Sequence, residues 1–357
     1  MRANSTHLII PFFIPHQGCP HQCRFCNQRV ISGTAPSAGD LSRSLEATVR
    51  SWISHSASRR YTDIEIAFYG GTFLALNPDC LKLLLDTSQA FIDRGEVHGI
   101  RFSTRPDPDM TAALHLIRGY KVRTVELGVQ SMDDTILAMS NRGHTAADVV
   151  HAVRVVRDHG LKLGVQLMVG LPGDTPERLT KTVCRVIALK PDFLRLYPTL
   201  VVNGSPLATD YRNGRYQALS VTEAVEATFP AYVRFRKAGI PVIRMGLQAT
   251  ADLDAGTDII AGPYHPAFGQ LVQSRLYLAL IRHGLSKSGF AGRILTLGVA
   301  APYQSTCMGQ RRHNLAVLKR TYGIEAVCVT AADLPPETVT VNGFRVSLAD
   351  LLPDESH

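Results

Sequence analysis

Strand-like and helix-like segments alternate along about the first 200 residues, and this alternation restricts the chain to few folds. Short apolar runs rich in β-branched and aromatic residues indicate strands, and the longer segments between them have the periodicity of amphipathic helices. Parallel strands joined by crossover helices require this order, because a parallel neighbour needs a long connection. The predicted strands are His7–Ile14, Ile64–Tyr69, Ile100–Thr104, Thr124–Val129, Lys162–Val169 and Phe193–Tyr197.

Six such units in series predict an α/β fold, a partial (β/α)6-type barrel followed by a small C-terminal α/β module. The chain has 357 residues, of which 45% are hydrophobic, so it can bury a large core. We expect the barrel within residues 1–250, a linker loop and helix within residues 251–290, and the small module within residues 291–357.

Charge and hydropathy restrict the classes of partner. The net charge of +8 permits a polyanionic partner such as RNA without requiring one. The apolar run Leu8–Ile14 is interrupted by Pro11 and does not have the form of a signal peptide, and the longest apolar runs are shorter than a membrane span. We therefore expect a cytoplasmic protein without a membrane partner.

Three cysteines lie close together after the first predicted strand. Cys19, Cys23 and Cys26 have the spacing C-x3-C-x2-C. Three thiolates can bind three irons of a 4Fe–4S cluster and leave the fourth iron open to a cofactor. A structural zinc site would need a fourth ligand, such as His16, His21 or a distant residue. Disulfides would leave one cysteine over, and in a reducing compartment clustered cysteines are more often metal ligands.

Further unusual residues follow the other strands. In parallel βα folds, ligands bind at the C-terminal ends of the strands, so these residues are predicted to share one edge of the sheet. They are Gly70-Gly71-Thr72 after the second strand, Ser103–Asp107 at the third, Glu126, Gln130 and Ser131 at the fourth with Arg142-Gly143-His144 beyond it, Gly170–Gly173 after the fifth, and Tyr197-Pro198-Thr199 after the sixth.

Together these motifs resemble the radical S-adenosylmethionine (SAM) superfamily, and more closely the radical SAM domain of the catalytic subunit of Elongator. The resemblance covers roughly residues 7–250. The segments that carry it are Gly18–Gln28, Phe68–Phe73, Ser103–Asp107, Val125–Ser131, Arg142–His144, Gly170–Gly173 and Leu196–Leu200.

The resemblance implies a radical SAM barrel in which Cys19, Cys23 and Cys26 bind a 4Fe–4S cluster and SAM occupies the fourth iron. Reductive cleavage of SAM then gives a 5′-deoxyadenosyl radical that abstracts hydrogen from a substrate. An external one-electron donor such as flavodoxin or ferredoxin is implied as a partner. The resemblance suggests RNA as substrate, by tRNA modification.

The resemblance also assigns contacts to SAM. Phe25 would pack near the adenine, and Ser103 and Arg142 would hold the carboxylate. Glu126 or Gln130 would accept hydrogen bonds from the ribose. Backbone contacts would come from Gly70, Gly71 and Thr72 to the methionine amino group and from Val169 to Leu171 to the adenine. Thr72 stands where the family usually has an acid, which matters little for a main-chain contact.

Two features depart from the Elongator subunit. About a hundred residues follow Thr250, which is too short for its acetyltransferase domain, and the cysteine spacing is shorter than in that subunit. Acetyl-CoA is therefore not expected as a partner. Radical chemistry on a small molecule or peptide remains an alternative, and so does a zinc-stabilised RNA-binding protein without redox chemistry.

The C-terminal segment has a pattern of its own. Gly309-Gln310-Arg311-Arg312 is expected to open a helix ending at Tyr322. The segment resembles the KH RNA-binding module, with Arg312 in place of the second glycine of its G-x-x-G loop. Arg311, Arg312 and Lys319 are therefore candidate RNA contacts. A small α/β cap with a solvated basic face explains the same residues.

Overall fold

The computed structural model of the chain describes residues 7–14, 19, 21–27, 38–56, 61–247 and 258–351. Seven parallel strands in this part curl into a half-barrel. In chain order these strands are β1 (His7–Ile14), β2 (Asp63–Gly70), β3 (Gly99–Thr104), β4 (Val122–Gln130), β5 (Lys162–Val169), β6 (Phe193–Pro198) and β8 (Val242–Met245).

Helices connect these strands and cover one face of the sheet. Several of them begin at side-chain caps, such as Thr145 and Ser220, each of which forms a capping box with an acidic residue three positions later. The helices of this region are α1 (Ala38–Ser56), α2 (Pro78–Asp93), α3 (Met110–Leu116), α4 (Asp134–Met139), α5 (Ala146–Asp158), α6 (Pro176–Ala188), α7 (Pro206–Arg212) and α8 (Val221–Lys237).

The half-barrel has two end strands. Strand order in the described sheet is β1-β2-β3-β4-β5-β6-β8, so β1 and β8 lie at opposite edges and leave one side of the barrel open. The sequence predicted six strands in the barrel, and Val242–Met245 adds a seventh beside β6. Beyond those six, the sequence also predicts a strand at Val242–Leu247, and in the structure this strand ends two residues earlier, at Met245.

Alternate residues of each strand face either the helices or the barrel interior. In β1, Leu8, Ile10, Phe12 and Ile14 are buried, whereas the residues between them are more exposed. The more exposed face of β1 borders the open side of the barrel. Polar and charged residues on the interior face of the other strands are therefore brought into one lumen.

A second sheet of four strands follows the barrel. Its order is β11-β10-β12-β13, in which only the β10–β11 pair is parallel. These strands are β10 (Ile294–Val299), β11 (Ala326–Ala331), β12 (Thr338–Val341) and β13 (Phe344–Ser347). Two further strands, β7 (Val201–Val202) and β9 (Ile259–Ala261), pair antiparallel with each other.

Helix α9 (Phe268–Ser288) joins the two sheets. It contacts α8 of the barrel and also β12 and β13 of the second sheet. Its residues and those of both sheets belong to one continuous hydrophobic core. The sequence predicted this helix as Leu271–Ile281, shorter at both ends. The domain boundaries at residues 250 and 290 stay predictions.

The last helices are α10 (Gln304–Met308) and α11 (His313–Tyr322). The predicted end of α11 at Tyr322 is confirmed, but its start differs from the prediction. Arg311 and Arg312 have positive φ angles of 49° and 60°, so both belong to a left-handed turn before the helix. Among the residues described, we find no helix with the length and apolar content of a membrane span.

Candidate active site

The cysteine loop follows β1 and is attached to two other parts of the chain. The backbone N–H of Arg24 donates to the carbonyl of Ser140, and the carbonyl of Arg24 accepts from the N–H of Leu207. The guanidinium of Arg24 forms an ion pair with Asp210 of α7. Gly18, Pro20 and Gln28 of the motif, and His16, lie outside the described residues. The described part of the loop is therefore fixed between the turn after α4 and the start of α7.

Two arginines approach the sulfur of Cys23, which is buried. Arg142 Nη1 donates to the Cys23 Sγ at 3.1 Å, and Arg105 Nη1 lies 3.9 Å from the same atom. Both guanidiniums are buried. Burial, and then the charges of these two arginines, lowers the pKa of His144 to about 3, so this neighbouring imidazole stays neutral at ordinary pH. Cys23 therefore lies beside two buried guanidiniums and a neutral imidazole.

Arg142 also brings two other predicted SAM residues together. Its guanidinium lies 5.9 Å from the centre of the Phe25 ring. A Cβ at Gly128 would lie 3.0 Å from Gln130 Nε2 and 3.5 Å from Arg142 Nη2, so glycine leaves room for both side chains. Within the described residues, Gln130 Oε1 and Arg142 Nε are buried without a hydrogen-bond partner. Such orphaned polar atoms suit a polar ligand.

The end of β2 supplies the opposite wall of the site. Cys19 Sγ lies 3.3 Å from Thr72 Oγ1, so the first cysteine faces the Gly70-Gly71-Thr72 turn. Gly70 has φ +107°, and a Cβ there would lie 2.6 Å from the Ile14 carbonyl oxygen. Only glycine fits this turn between the ends of β1 and β2 without displacing the backbone.

The turn after β5 is fixed from both sides. Asp174 accepts from the N–H of Gly170 at 3.1 Å, and the Tyr216 hydroxyl donates to the Gly170 carbonyl at 2.7 Å. Burial raises the pKa of Asp174 to about 6. These contacts hold the backbone between Val169 and Leu171, which are both buried, in one conformation.

Glu126 is fully buried and accepts from several side chains of the barrel lumen. Its Oε2 lies 2.7 Å from Arg195 Nε and accepts from Gln166 at 3.1 Å. Its Oε1 accepts from the Tyr69 hydroxyl at 3.0 Å and from Arg101 at 3.3 Å. The carboxylate is thus part of an ion network across the strands, and its acceptor sites are occupied.

The network continues through Arg101 to Glu65. Arg101 Nη2 donates to Glu65 Oε2 at 2.6 Å, and His7 Nε2 lies 3.1 Å from the same oxygen. Burial acts to raise the pKa of Glu65, but the hydrogen bonds from His7 and Arg101 outweigh it and lower the pKa to about 2. Ser103 joins from the side, where it accepts from Gln166 at 3.0 Å.

A cavity of about 660 Å³ lies toward the N-terminal ends of the barrel strands, where His7, Lys162 and Phe193 are among its lining residues. Residues from the two edge strands line its mouth, among them Ile9 and Pro11 of β1 and Ile243 and Arg244 of β8. Tyr69 and Arg195 of the buried network lie at its inner wall. The cavity therefore connects the surface with the lumen.

The structure brings the predicted residues together in part. Cys23, Phe25, Gln130 and Arg142 meet in one group, and Cys19 meets Thr72. Ser103 and Glu126 are linked through Gln166. Arg311, Arg312 and Lys319 lie apart from these groups in sequence, on the turn before α11 and on that helix. The roles assigned to all of these residues, in binding the cluster, SAM or RNA, stay predictions.

The sequence prediction missed several polar residues of the lumen. Each is a charged or polar residue inside an otherwise apolar strand, and this signal was recognised for Glu126 alone. Arg105 lies in the Ser103–Asp107 motif, but the sequence indicates no function for its side chain. Its contact with Cys23 joins positions that are distant in sequence. The missed members of the network are Glu65, Tyr69, Arg101, Gln166 and Arg195.

Comparison with known proteins identifies the class. Residues 13–184 match the family model of the radical SAM superfamily, and residues 191–277 match that of the Radical_SAM C-terminal domain. Together the two matches cover well over half of the chain. The chain belongs to the radical SAM superfamily.

Two individual proteins illustrate which members of the superfamily this chain is similar to. A tRNA uridine(34) acetyltransferase of Dehalococcoides mccartyi is 32% identical over 200 residues, which cover 49% of this chain and 44% of that protein. Elongator complex protein 3 of Danio rerio is 27% identical over 226 residues, which cover 55% of this chain and 40% of that protein. The chain thus spans about half the length of the curated relatives it matches.

A solved structure shows the same fold. The Elp3 protein of the archaeon Methanocaldococcus infernus superposes with a TM-score of 0.58 at 22% sequence identity, covering 81% of this chain and 65% of that one. The predicted radical SAM barrel and the resemblance to the Elongator subunit are confirmed. The protein is an enzyme of this class.

Superfamily membership implies a 4Fe–4S cluster and SAM as cofactors. The residues present fit both groups. The buried cations beside Cys23 suit an anionic cluster, and the unpartnered Gln130 Oε1 and Arg142 Nε suit a polar ligand next to it. Over the described residues, no three potential ligands are gathered around one metal-ion position. A cluster does not require this, because each cysteine binds a different iron.

Proposed function

We propose that this protein cleaves SAM reductively and uses the resulting radical to abstract hydrogen from RNA in the modification of tRNA. The cysteine loop carries the proposal, because its buried Cys23 lies beside two guanidiniums at the C-terminal edge of the barrel strands. When bound, the cofactors supply one electron to the SAM sulfonium and a 5′-deoxyadenosyl radical as the hydrogen acceptor.

The protein residues bind and orient. Cys19, Cys23 and Cys26 would hold the cluster. Arg142 would bind the SAM carboxylate and keep its own contact with Cys23. Its Nε is free to do so, because this atom has no hydrogen-bond partner among the described residues. The carbonyls of the Gly70-Gly71-Thr72 turn would accept the amino group, since glycine lets the backbone approach closely.

Glu126 and Gln130, the two candidates for the ribose contact, differ in whether their side-chain oxygens already accept hydrogen bonds. The oxygens of Glu126 already accept from side chains of the ion network. Gln130 has a buried side-chain oxygen that accepts no hydrogen bond from a described residue. Gln130 is therefore the better acceptor for the ribose hydroxyls, and Glu126 shapes the lumen beneath it. Phe25 would stand against the adenine, and the turn fixed by Asp174 would present its backbone to the same ring.

Anaerobic reconstitution tests the cofactor assignment. We expect about four irons and four sulfides per chain, with a broad absorption near roughly 400 nm that dithionite bleaches, as for other protein-bound clusters. Adding SAM to the reduced protein should yield 5′-deoxyadenosine. Stoichiometric zinc without iron uptake would instead support a zinc-stabilised protein.

RNA is proposed as the substrate on two grounds. Relatives that share the radical SAM region are named tRNA uridine(34) acetyltransferases. Arg311, Arg312 and Lys319 are exposed and lie within a short segment of the C-terminal module. Exposed cations in one segment suit phosphate groups of a nucleic acid.

The double variant Arg311→Ala/Arg312→Ala tests the RNA contact. We expect its affinity for bulk tRNA to fall about tenfold at low salt, with a smaller slope of affinity against salt, because two phosphate contacts are lost. Fluorescence anisotropy at several salt concentrations measures both quantities.

The matched control is Arg43→Ala/Arg154→Ala, which removes two exposed arginines from α1 and α5 and changes the net charge equally. We expect this control to bind tRNA nearly as well as the unaltered protein. Equal losses in the two double variants would show a general charge effect and remove the C-terminal segment from the proposed RNA site.

A further inference from the structure

Arg105 uses its guanidinium to connect three groups around the cysteine loop. It follows β3 directly and is 5% exposed. Its Nε donates to Asp107 Oδ1 at 3.1 Å, and its Nη2 donates to the backbone carbonyl of Arg142. The remaining Nη1 faces Cys23 Sγ at 3.9 Å. The side chain is thus fixed in position with one N–H group directed at the sulfur.

The charges around Cys23 are unbalanced among the described side chains. Arg105 and Arg142 are both buried and lie near one sulfur. Asp107 pairs with Arg105 at a more exposed position. Two buried cations at one point are costly unless a negative charge lies between them. An anionic group bound through Cys23 meets that requirement.

We propose that Arg105 raises the reduction potential of the cluster and so makes its reduced state accessible to the electron donor. The inference rests on the proposed function, because it requires a cluster bound through Cys23. One electron passes from a one-electron donor protein to the oxidised cluster, which gains one negative charge, and no bond or proton is exchanged. A fixed buried cation stabilises the more negative state more strongly, since the interaction scales with the charge.

Substitutions at Arg105 separate charge from packing. In reconstituted full-length protein, Arg105→Gln should lower the midpoint potential, so that the ratio of reduced to oxidised cluster at a fixed ambient potential falls about tenfold or more. Arg105→Lys keeps the charge and should stay close to the unaltered protein. Redox titration followed by electron paramagnetic resonance measures the ratio. Arg123→Gln, at a half-buried arginine paired with Asp63, is the control.

A second variant predicts a shift of opposite sign. Asp107→Asn removes the carboxylate that partly neutralises Arg105, so the reduced fraction should rise. This variant decides the question if Arg105→Gln fails to retain iron. The inference would be overturned if Arg105→Gln and Asp107→Asn both left the midpoint potential unchanged. It would also be overturned if Arg105→Gln and Arg105→Lys shifted the potential equally. Failure of the unaltered protein to take up a cluster would instead overturn the proposed function.

Discussion

Cys23→Ala should abolish the formation of 5′-deoxyadenosine, with a fall of more than about a thousandfold, because a cluster that loses one of three thiolates cannot deliver its electron to SAM. Iron content after reconstitution should fall in parallel. The cysteine is small, so the secondary structure should be preserved. Product formation measured by chromatography and iron by colorimetric assay give the two results.

Cys184→Ala is the matched control for this experiment. Cys184 lies on α6, is exposed, and takes no part in the cysteine loop. The control should keep both iron content and product formation. Full activity of Cys23→Ala would exclude Cys23 as a ligand, whereas losses in both variants would indicate damage unrelated to the cluster.

Glu126→Ala should destabilise the protein by about 3–5 kcal/mol, because removal of one partner leaves buried charges uncompensated. Arg195 and Arg101 both lose the carboxylate, and both are largely buried, at 8% and 5% exposure. Urea unfolding followed by circular dichroism measures the free energy of unfolding. The variant should also be less soluble when heated.

Two further variants define the scale of that effect. Tyr69→Phe removes a hydroxyl that donates to Glu126 and accepts from Arg195, and it should cost about 1–2 kcal/mol. Arg43→Ala removes an exposed ion pair with Asp40 and should change the free energy of unfolding by less than about 1 kcal/mol. If Glu126→Ala cost no more than Arg43→Ala, the ion network would not contribute to stability as proposed.

The sequence predicted the features that depend on local pattern. Alternating strands and helices gave the parallel half-barrel, and the cysteine spacing placed the loop after β1. Most of the strands and the end of α11 were located correctly because periodicity and capping residues act over a few positions. Helix α9 was predicted too short, since its ends are stabilised by packing against α8 and the second sheet.

Long-range contacts could not be predicted in the same way. Glu65, Arg101 and Arg195 lie on different strands, and only the strand register brings their side chains into one lumen. The approach of Arg105 to Cys23 depends on how the turn after β3 meets a loop far back in the chain. The positive φ angles of Arg311 and Arg312 moved both residues out of the predicted helix, and no propensity of arginine indicates that conformation.

The attachment of the cysteine loop has a thermodynamic consequence. Its backbone is bonded on one side to Ser140 and on the other to Leu207, which belong to segments distant in sequence. Binding energy released when the thiolates take up iron therefore also stabilises those two segments, because a ligand that binds the ordered loop favours everything bonded to it. Loss of the inorganic group and local unfolding of these two segments are therefore thermodynamically coupled.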